Sequence, residues 1–169
     1  MIKRLFSTTA RVPRHYTSTF KASNLGQNLA KYDIYALSDK PENNVEMISN
    51  DSIVFSNLKV ICAPKGALLL DNQIFEIDVS KTKIENDIVV EFNPEVIELL
   101  SLIYPKPELV VLGLGKKTRM LGPKSRQSFN ELGIRVETGD TKSSALSYDL
   151  LATERSPGFV ASIMLPPNM

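Results

Sequence analysis

Histidine and cysteine are nearly missing from this chain: its 169 residues hold one of each, His15 and Cys62, and no tryptophan. One cysteine cannot form an internal disulfide, and zinc sites built from several His and Cys ligands are excluded by count. His15 falls in an N-terminal stretch read below as a removable presequence, so the rest of the chain has no imidazole. That excludes Ser-His-Asp and Cys-His nucleophilic machinery and leaves only carboxylate, lysine or tyrosine chemistry open. Neither a metal nor a cofactor is expected. Cys62, inside the apolar run "LKVICA", is expected to be a buried small hydrophobe.

Acids are missing from residues 1–22, "MIKRLFSTTARVPRHYTSTFKA", which hold Lys3, Arg4, Arg11, Arg14 and Lys21. Arginine and hydroxyl residues with no acid, plus Ile2, Leu5 and Phe6 on one helical face, make the composition of a mitochondrial transit peptide. Arg lies three residues ahead of two plausible cuts, after Phe6 or after Tyr16. Setting those five bases aside leaves fifteen basic residues against nineteen acidic, a net charge of −4. A mildly acidic body argues against nucleic acid as a partner, because phosphate binding needs a basic surface. Long hydrophobic runs are also missing. No stretch approaches the roughly 20 apolar residues of a membrane span, so the mature protein is expected in the matrix, soluble or peripheral to the inner membrane.

What is present suits one globular domain with 43% hydrophobic residues and charges of both signs. Residues 23–51 are polar and read as an irregular arm or linker. From Leu58, "LKVICA", "ALLLD" and "QIFEIDVS" alternate with "PKG" and "DN", the pattern of strands joined by tight turns in an antiparallel β layer. Asn93 as N-cap, Pro94 at the first helical position and Val96, Leu100 and Ile103 at helical spacing predict a helix from about Pro94 to Tyr104. "ELVVLGL" then reads as a buried strand and "PKSRQSFNEL" as a helix closed by Gly133. "IRVE" follows as a strand, "TKSSALSYDLLATE" as a helix capped by Asp140 or Thr141, and "GFVASIML" as a last strand. Alternation of strand and helix makes the C-terminal half βαβαβ-like, around a mixed central sheet.

One stretch invites a chemical reading. In "VVLGLGKKTRMLGPKS" an apolar strand ends in Gly113-Leu-Gly115, where an open α/β sheet holds its ligands. The fingerprints fail in detail, however, because Thr118 stands where the dinucleotide motif has its third glycine and Val110 where a P-loop begins. Gly113 and Gly115 are better explained as residues that let the chain leave the strand with unusual φ angles. Lys116, Lys117, Arg119, Lys124 and Arg126 form a basic cluster, either a solvated rim or a patch for an acidic partner. Asp140 reads as a helix cap and Tyr148 as a packed or hydrogen-bonded side chain, neither with a catalytic companion nearby.

The segment "PELVVLGLGKKTRMLGPKSRQSFNELGIRVETGDTKSSALSYDLLATE", followed by "GFVASIMLPPN", resembles the family of mitochondrial complex I assembly factor 3 and its prokaryotic relatives of unknown function. Gly113, Gly115, Lys116, Arg119, Gly133, Ile134, Val136, Asp140, Thr141, Tyr148, Leu165 and Pro166 carry the resemblance, which covers about Ser52 to Pro167. It implies a three-layer α/β single domain with an N-terminal antiparallel β layer, over residues 52–169. It also implies a protein that acts by binding rather than catalysis. The implied partners are assembly factor 4 and early ubiquinone-module subunits of the NADH:ubiquinone oxidoreductase. The candidate partner- or anion-binding residues are Gly113, Gly115, Lys116, Lys117, Thr118, Arg119, Asp140, Thr141 and Tyr148. A small anion- or nucleotide-binding enzyme or sensor using the Gly113 to Arg119 loop is the alternative.

Overall fold

A computed structural model describes residues 40–169. The expected transit peptide, and the expected arm up to residue 39, lie outside the described residues. Five strands build the central sheet in the order β10-β8-β11-β4-β5: β4 (Lys65–Leu70), β5 (Gln73–Asp78), β8 (Leu109–Gly113), β10 (Arg135–Gly139) and β11 (Val160–Met164). β10, β8 and β11 run parallel, while β4 and β5 are antiparallel to their neighbours. The sheet is mixed, as the alternation in sequence predicts.

Alternate residues along these strands enter two separate cores, because successive side chains leave a strand on opposite faces. On one face Leu68, Ile77, Val110, Leu112, Ala161 and Ile163 meet Val96, Ile97, Leu100 and Phe129. These last four come from α1 (Pro94–Glu98), the 3₁₀ turn Leu99–Leu102 that continues it, and α2 (Pro123–Glu131). On the other face Ala67, Leu69, Ile74, Val111, Val160 and Met164 meet Ala145, Tyr148 and Ala152 of α3 (Thr141–Arg155), together with Ile53, Phe55 and Ile61. The central sheet is thus the middle of three layers. Residues Ile53, Phe55 and Ile61 belong to an antiparallel sheet of β1 (Val45–Ile48), β2 (Ser52–Phe55) and β3 (Val60–Cys62). A third small sheet joins β6 (Lys83–Glu85), β7 (Val89–Glu91) and β9 (Met120–Leu121).

Three local expectations need correction. β4 and β5 do not lie in the antiparallel layer, since β4 is buried on both faces along "GALLL" and can only be an inner strand. The layer consists of β1 to β3, and Val45–Ile48, from the stretch read as an arm, is its edge strand. Cys62 is exposed, because in β3 the alternation turns Ile61 inward and Val60 and Cys62 outward. The helix from Pro94 is α-helical only to Glu98, then 3₁₀ to Leu102, and Ile103 is already extended. Pro105 keeps the preceding Tyr104 out of the α region, and the chain has already turned extended one residue earlier, at Ile103.

Candidate functional site

The glycine turn sits at the carboxyl ends of three parallel strands, with Gly113 level with Gly139 of β10 and Met164 of β11. An anion held there would need free backbone N–H groups pointing at it. In this chain the amides of residues 114 to 116 are taken. Leu114 N donates to Gly139 O at 2.8 Å, Gly115 N to Thr141 Oγ1 at 3.0 Å, and Lys116 N to Met169 O at 2.9 Å. Thr141 locks the arrangement, since its N–H donates to Gly115 O at 2.9 Å and its hydroxyl to Leu165 O at 2.8 Å.

The two glycines serve different ends. Gly115 has φ +92°, and a Cβ there would lie 2.5 Å from Met169 O and 2.8 Å from Arg119 Nη1. Gly113 has no positive φ among the described residues, contrary to the expectation. Its reason is close approach: a Cβ would stand 3.0 Å from Thr141 Cα, where the start of α3 packs against the strand end.

Arg119 departs furthest from the sequence reading. It is 7% exposed, and its guanidinium donates to Leu114 O at 2.6 Å, to Met169 O at 3.0 Å and, through Nε, to Asp87 Oδ1 at 3.2 Å. A further short contact joins its Nη2 to the same carboxylate, and Lys117 Nζ pairs with the other oxygen. The hydrogen bonds from Lys117 first and Arg119 second hold the Asp87 carboxyl down at about 2. Arg119 is therefore a brace tying the turn to the C-terminal segment and to the β6–β7 hairpin, not a surface charge. The sequence does signal that hairpin, as Asn86 and Asp87, residue types that tolerate the positive φ they adopt here, fall in the three-residue connection between its strands. Nothing in it signals the pairing with Arg119.

The helix N-termini nearby are occupied from within as well. Asp140 caps α3, accepting from Ser143 N at 3.2 Å and from Thr118 Oγ1 at 3.4 Å. At α2 the cap is Glu91, whose carboxylate accepts from Lys124 N at 3.2 Å, Ser125 N at 2.9 Å and Ser125 Oγ at 2.6 Å. Burial pushes Glu91 up, but these donors outweigh it and its pKa lies below the usual range. Tyr148 is fully buried and donates to Asn43 Oδ1 at 2.9 Å, while Asn43 Nδ2 donates to Gln73 O at 3.1 Å. Burial raises the phenol well above its ordinary value, so it stays protonated and acts as an anchor for the segment leading into β1.

Of the sequence candidates, Gly115, Lys116, Asp140 and Thr141 line one open depression of about 540 Å³ with Lys142 and Asn168. Thr118 reaches its edge through Asp140, Lys117 and Arg119 turn toward Asp87, and Tyr148 belongs to a separate core. Asp87, Glu91 and Asn43 complete these networks and were not among the candidates, being far in sequence from the groups they serve. Among the described residues no group of three His, Cys, Asp or Glu side chains is placed to hold a metal.

A family model described as a protein of unknown function (DUF498/DUF598) matches residues 45–164. NADH dehydrogenase (ubiquinone) 1 alpha subcomplex assembly factor 3 of Xenopus tropicalis is 24% identical over 127 residues, 74% of this chain and 62% of that protein. The protein of the same name from Mus musculus is 33% identical over 79 residues, 46% of this chain and 42% of its own length. The chain thus spans less than two thirds of either relative. A Mth938-like domain of Bordetella pertussis, solved by NMR, superposes with a TM-score of 0.54 at 17% identity, over 75% of this chain and 87% of that one. That likeness concerns the fold. Matched from its first strand to its last by one family model, the chain belongs to the DUF498/DUF598 family and has assembly factor 3 proteins among its relatives.

Proposed function

We propose that this protein is a non-enzymatic assembly factor for the NADH:ubiquinone oxidoreductase, acting in the mitochondrial matrix or at the matrix side of the inner membrane. Residues 1–22 direct import and are removed, and residues 52–169 with the edge strand before them form the binding domain. Its partners are assembly factor 4 and early subunits of the ubiquinone module. The kinship with proteins of that name supports the reading. One observation carries it further: the successive amides 114 to 116, which an anion-using enzyme would need free, are all bonded within the chain. Lys116 and the exposed ends of Lys124 and Arg126 then remain as charges a partner can meet.

Deleting the gene in its source organism is the direct test. Loss of the assembled NADH dehydrogenase band on a native gel, with its subunits still synthesised, is the expected result. A normal band and normal activity would overturn the proposal. Thermal melts with phosphate and nucleotides test the anion-binding alternative, since a ligand at 100 times its Kd would add about 2.7 kcal/mol, and no shift is expected.

A further inference from the structure

Among the described residues, Thr82 Oγ1 alone of the buried side-chain nitrogen and oxygen atoms has no hydrogen-bond partner. Thr82 is 8% exposed, and its amide donates to Val79 O at 2.9 Å, so its backbone N–H is satisfied and its hydroxyl is not. An enclosed hydroxyl left unpaired keeps its full desolvation cost, and native folds rarely retain one without a reason. Thr82 lines an open depression of about 550 Å³ between the chain entering β6 and the N-termini of α1 and α2. That volume lies within the range of small-ligand sites, about 300 to 1,000 Å³. Its lining combines charge with apolar surface. Lys83 stands opposite Glu91 in the β6–β7 pair, so both side chains leave the sheet on one face, where Lys124 begins α2. Glu91 is engaged by the Lys124 and Ser125 amides and by Ser125 Oγ, and Lys81 pairs with Glu95 at 3.0 Å. Lys83 and Lys124 are exposed and make no salt bridge among the described residues. Phe92, Pro94 and Ile97 supply the apolar part.

We propose that this depression binds an organic carboxylate, one carboxyl group on a short apolar stem. Charge decides the class. With Lys81 and Glu95 neutralising each other, the ammonium groups of Lys83 and Lys124 against the carboxylate of Glu91 leave a surplus of one positive charge, which a monoanion balances and a phosphate dianion exceeds. A phosphate would also draw on the amides at the start of α2, and Glu91 holds them. The ligand's carboxylate meets Lys83 and Lys124 in charge-assisted hydrogen bonds, and its stem lies on Phe92, Pro94 and Ile97. Thr82, turned about χ1 from one staggered position to another, donates to the same carboxylate the hydroxyl proton that has no acceptor in the free protein. Two sources carry this chemistry, a free short-chain acid and the acidic side chain of another protein. The inference does not rest on the assembly-factor proposal.

Titration of the isotope-labelled full chain with hexanoate and with N-acetylglutamic acid α-amide, read from its amide resonances by NMR, tests it. The expected result is a saturable shift at Thr82, Lys83, Lys124 and Ser125 with at least one of the two acids, and none with methyl hexanoate, which lacks the charge. Tighter binding of hexanoate identifies a free acid as the source, and tighter binding of the blocked residue an acidic side chain. Lys83→Gln and Lys124→Gln, both at exposed positions, should each raise Kd about tenfold. Thr82→Val keeps the shape and removes the hydroxyl. Its melting temperature without ligand should stay level or rise, since no hydrogen bond is lost, while Kd rises about fivefold or more. Circular dichroism verifies that each variant is folded. Absence of a saturable shift with both acids overturns the proposal. So does equal binding of methyl hexanoate, a folded Thr82→Val that binds as tightly as the parent, or a pair of lysine variants that both do.

Discussion

Arg119 and Lys117 stand two residues apart and bind the same carboxylate, yet their surroundings give them unequal weight. Lys117 is 60% exposed at its side chain and Arg119 5%. An exposed pair contributes little because water screens it and two long side chains lose freedom. Removing a buried guanidinium strips hydrogen bonds from Leu114 O and Met169 O, acceptors that water reaches poorly. Arg119→Ala should therefore cost about 2 to 4 kcal/mol in urea unfolding, and Lys117→Ala no more than about 0.5 kcal/mol. Equal costs for the two would show that Arg119 is not the brace its contacts describe. Gly115 is held just as tightly: any side chain there has both positive φ and a collision with Met169 O. Gly115→Ala should cost at least about 1 to 3 kcal/mol of backbone strain, visible as a lowered melting temperature. At Cys62 the exposure decides the opposite way. Cys62→Ala should change stability by no more than about 0.5 kcal/mol, and the native protein should react with a thiol reagent without unfolding.

Helices and strands here are fixed by groups distant in sequence, and β1 against α3 is the clearest case. Val45 N donates to Asp149 Oδ1 at 3.2 Å, so a half-buried carboxylate holds the start of the edge strand. Burial pushes Asp149 up to about 6, against the opposing pull of the Val45 amide and Lys40, with Glu46 adding to the rise. An unfolded aspartate titrates near 3.9. Between those values the folded state binds the proton more tightly, so this contribution favours folding at low pH and is lost as pH rises through about 6. Asp149→Asn keeps an oxygen for Val45 and removes the titration. Unfolding free energy measured from pH 4 to 7 should fall with pH more steeply in the parent than in the variant. Identical slopes would mean the carboxylate is not desolvated. The cap of α2 is another such element. Asn93 at α1 is visible from sequence because cap and helix are neighbours, whereas Glu91 serves a helix that starts thirty-two residues later. Local chemistry signals the first kind of cap and only chain folding supplies the second.

For the molecule as a whole, the glycine turn is a joint between β8, α3, the C-terminal segment and the β6–β7 hairpin, and its charges divide accordingly into internal and external ones. Reversing Lys116, Lys124 and Arg126 to Glu should leave the melting temperature nearly unchanged, because all three are exposed. It should weaken capture of the proposed assembly partners from mitochondrial extracts, with a matching salt dependence, since rim charges steer association. A folded triple variant that retains every partner would move the binding face elsewhere. Much of this architecture was legible in the sequence alone. Strand–helix alternation, Asn93-Pro94, Asp140 and the apolar run ending at Gly113 specified a mixed α/β domain, because each depends on neighbours within a few residues. A single cysteine excluded an internal disulfide by count. Tertiary structure decided the rest: that β4 and β5 are inner strands, that Cys62 faces outward, that Arg119 is buried on Asp87, and that the amides of the glycine turn face partners within the chain. Each depends on which distant groups share one small space and exclude water from it, and a backbone's burial and hydrogen-bond satisfaction are properties of that space rather than of any stretch of residues.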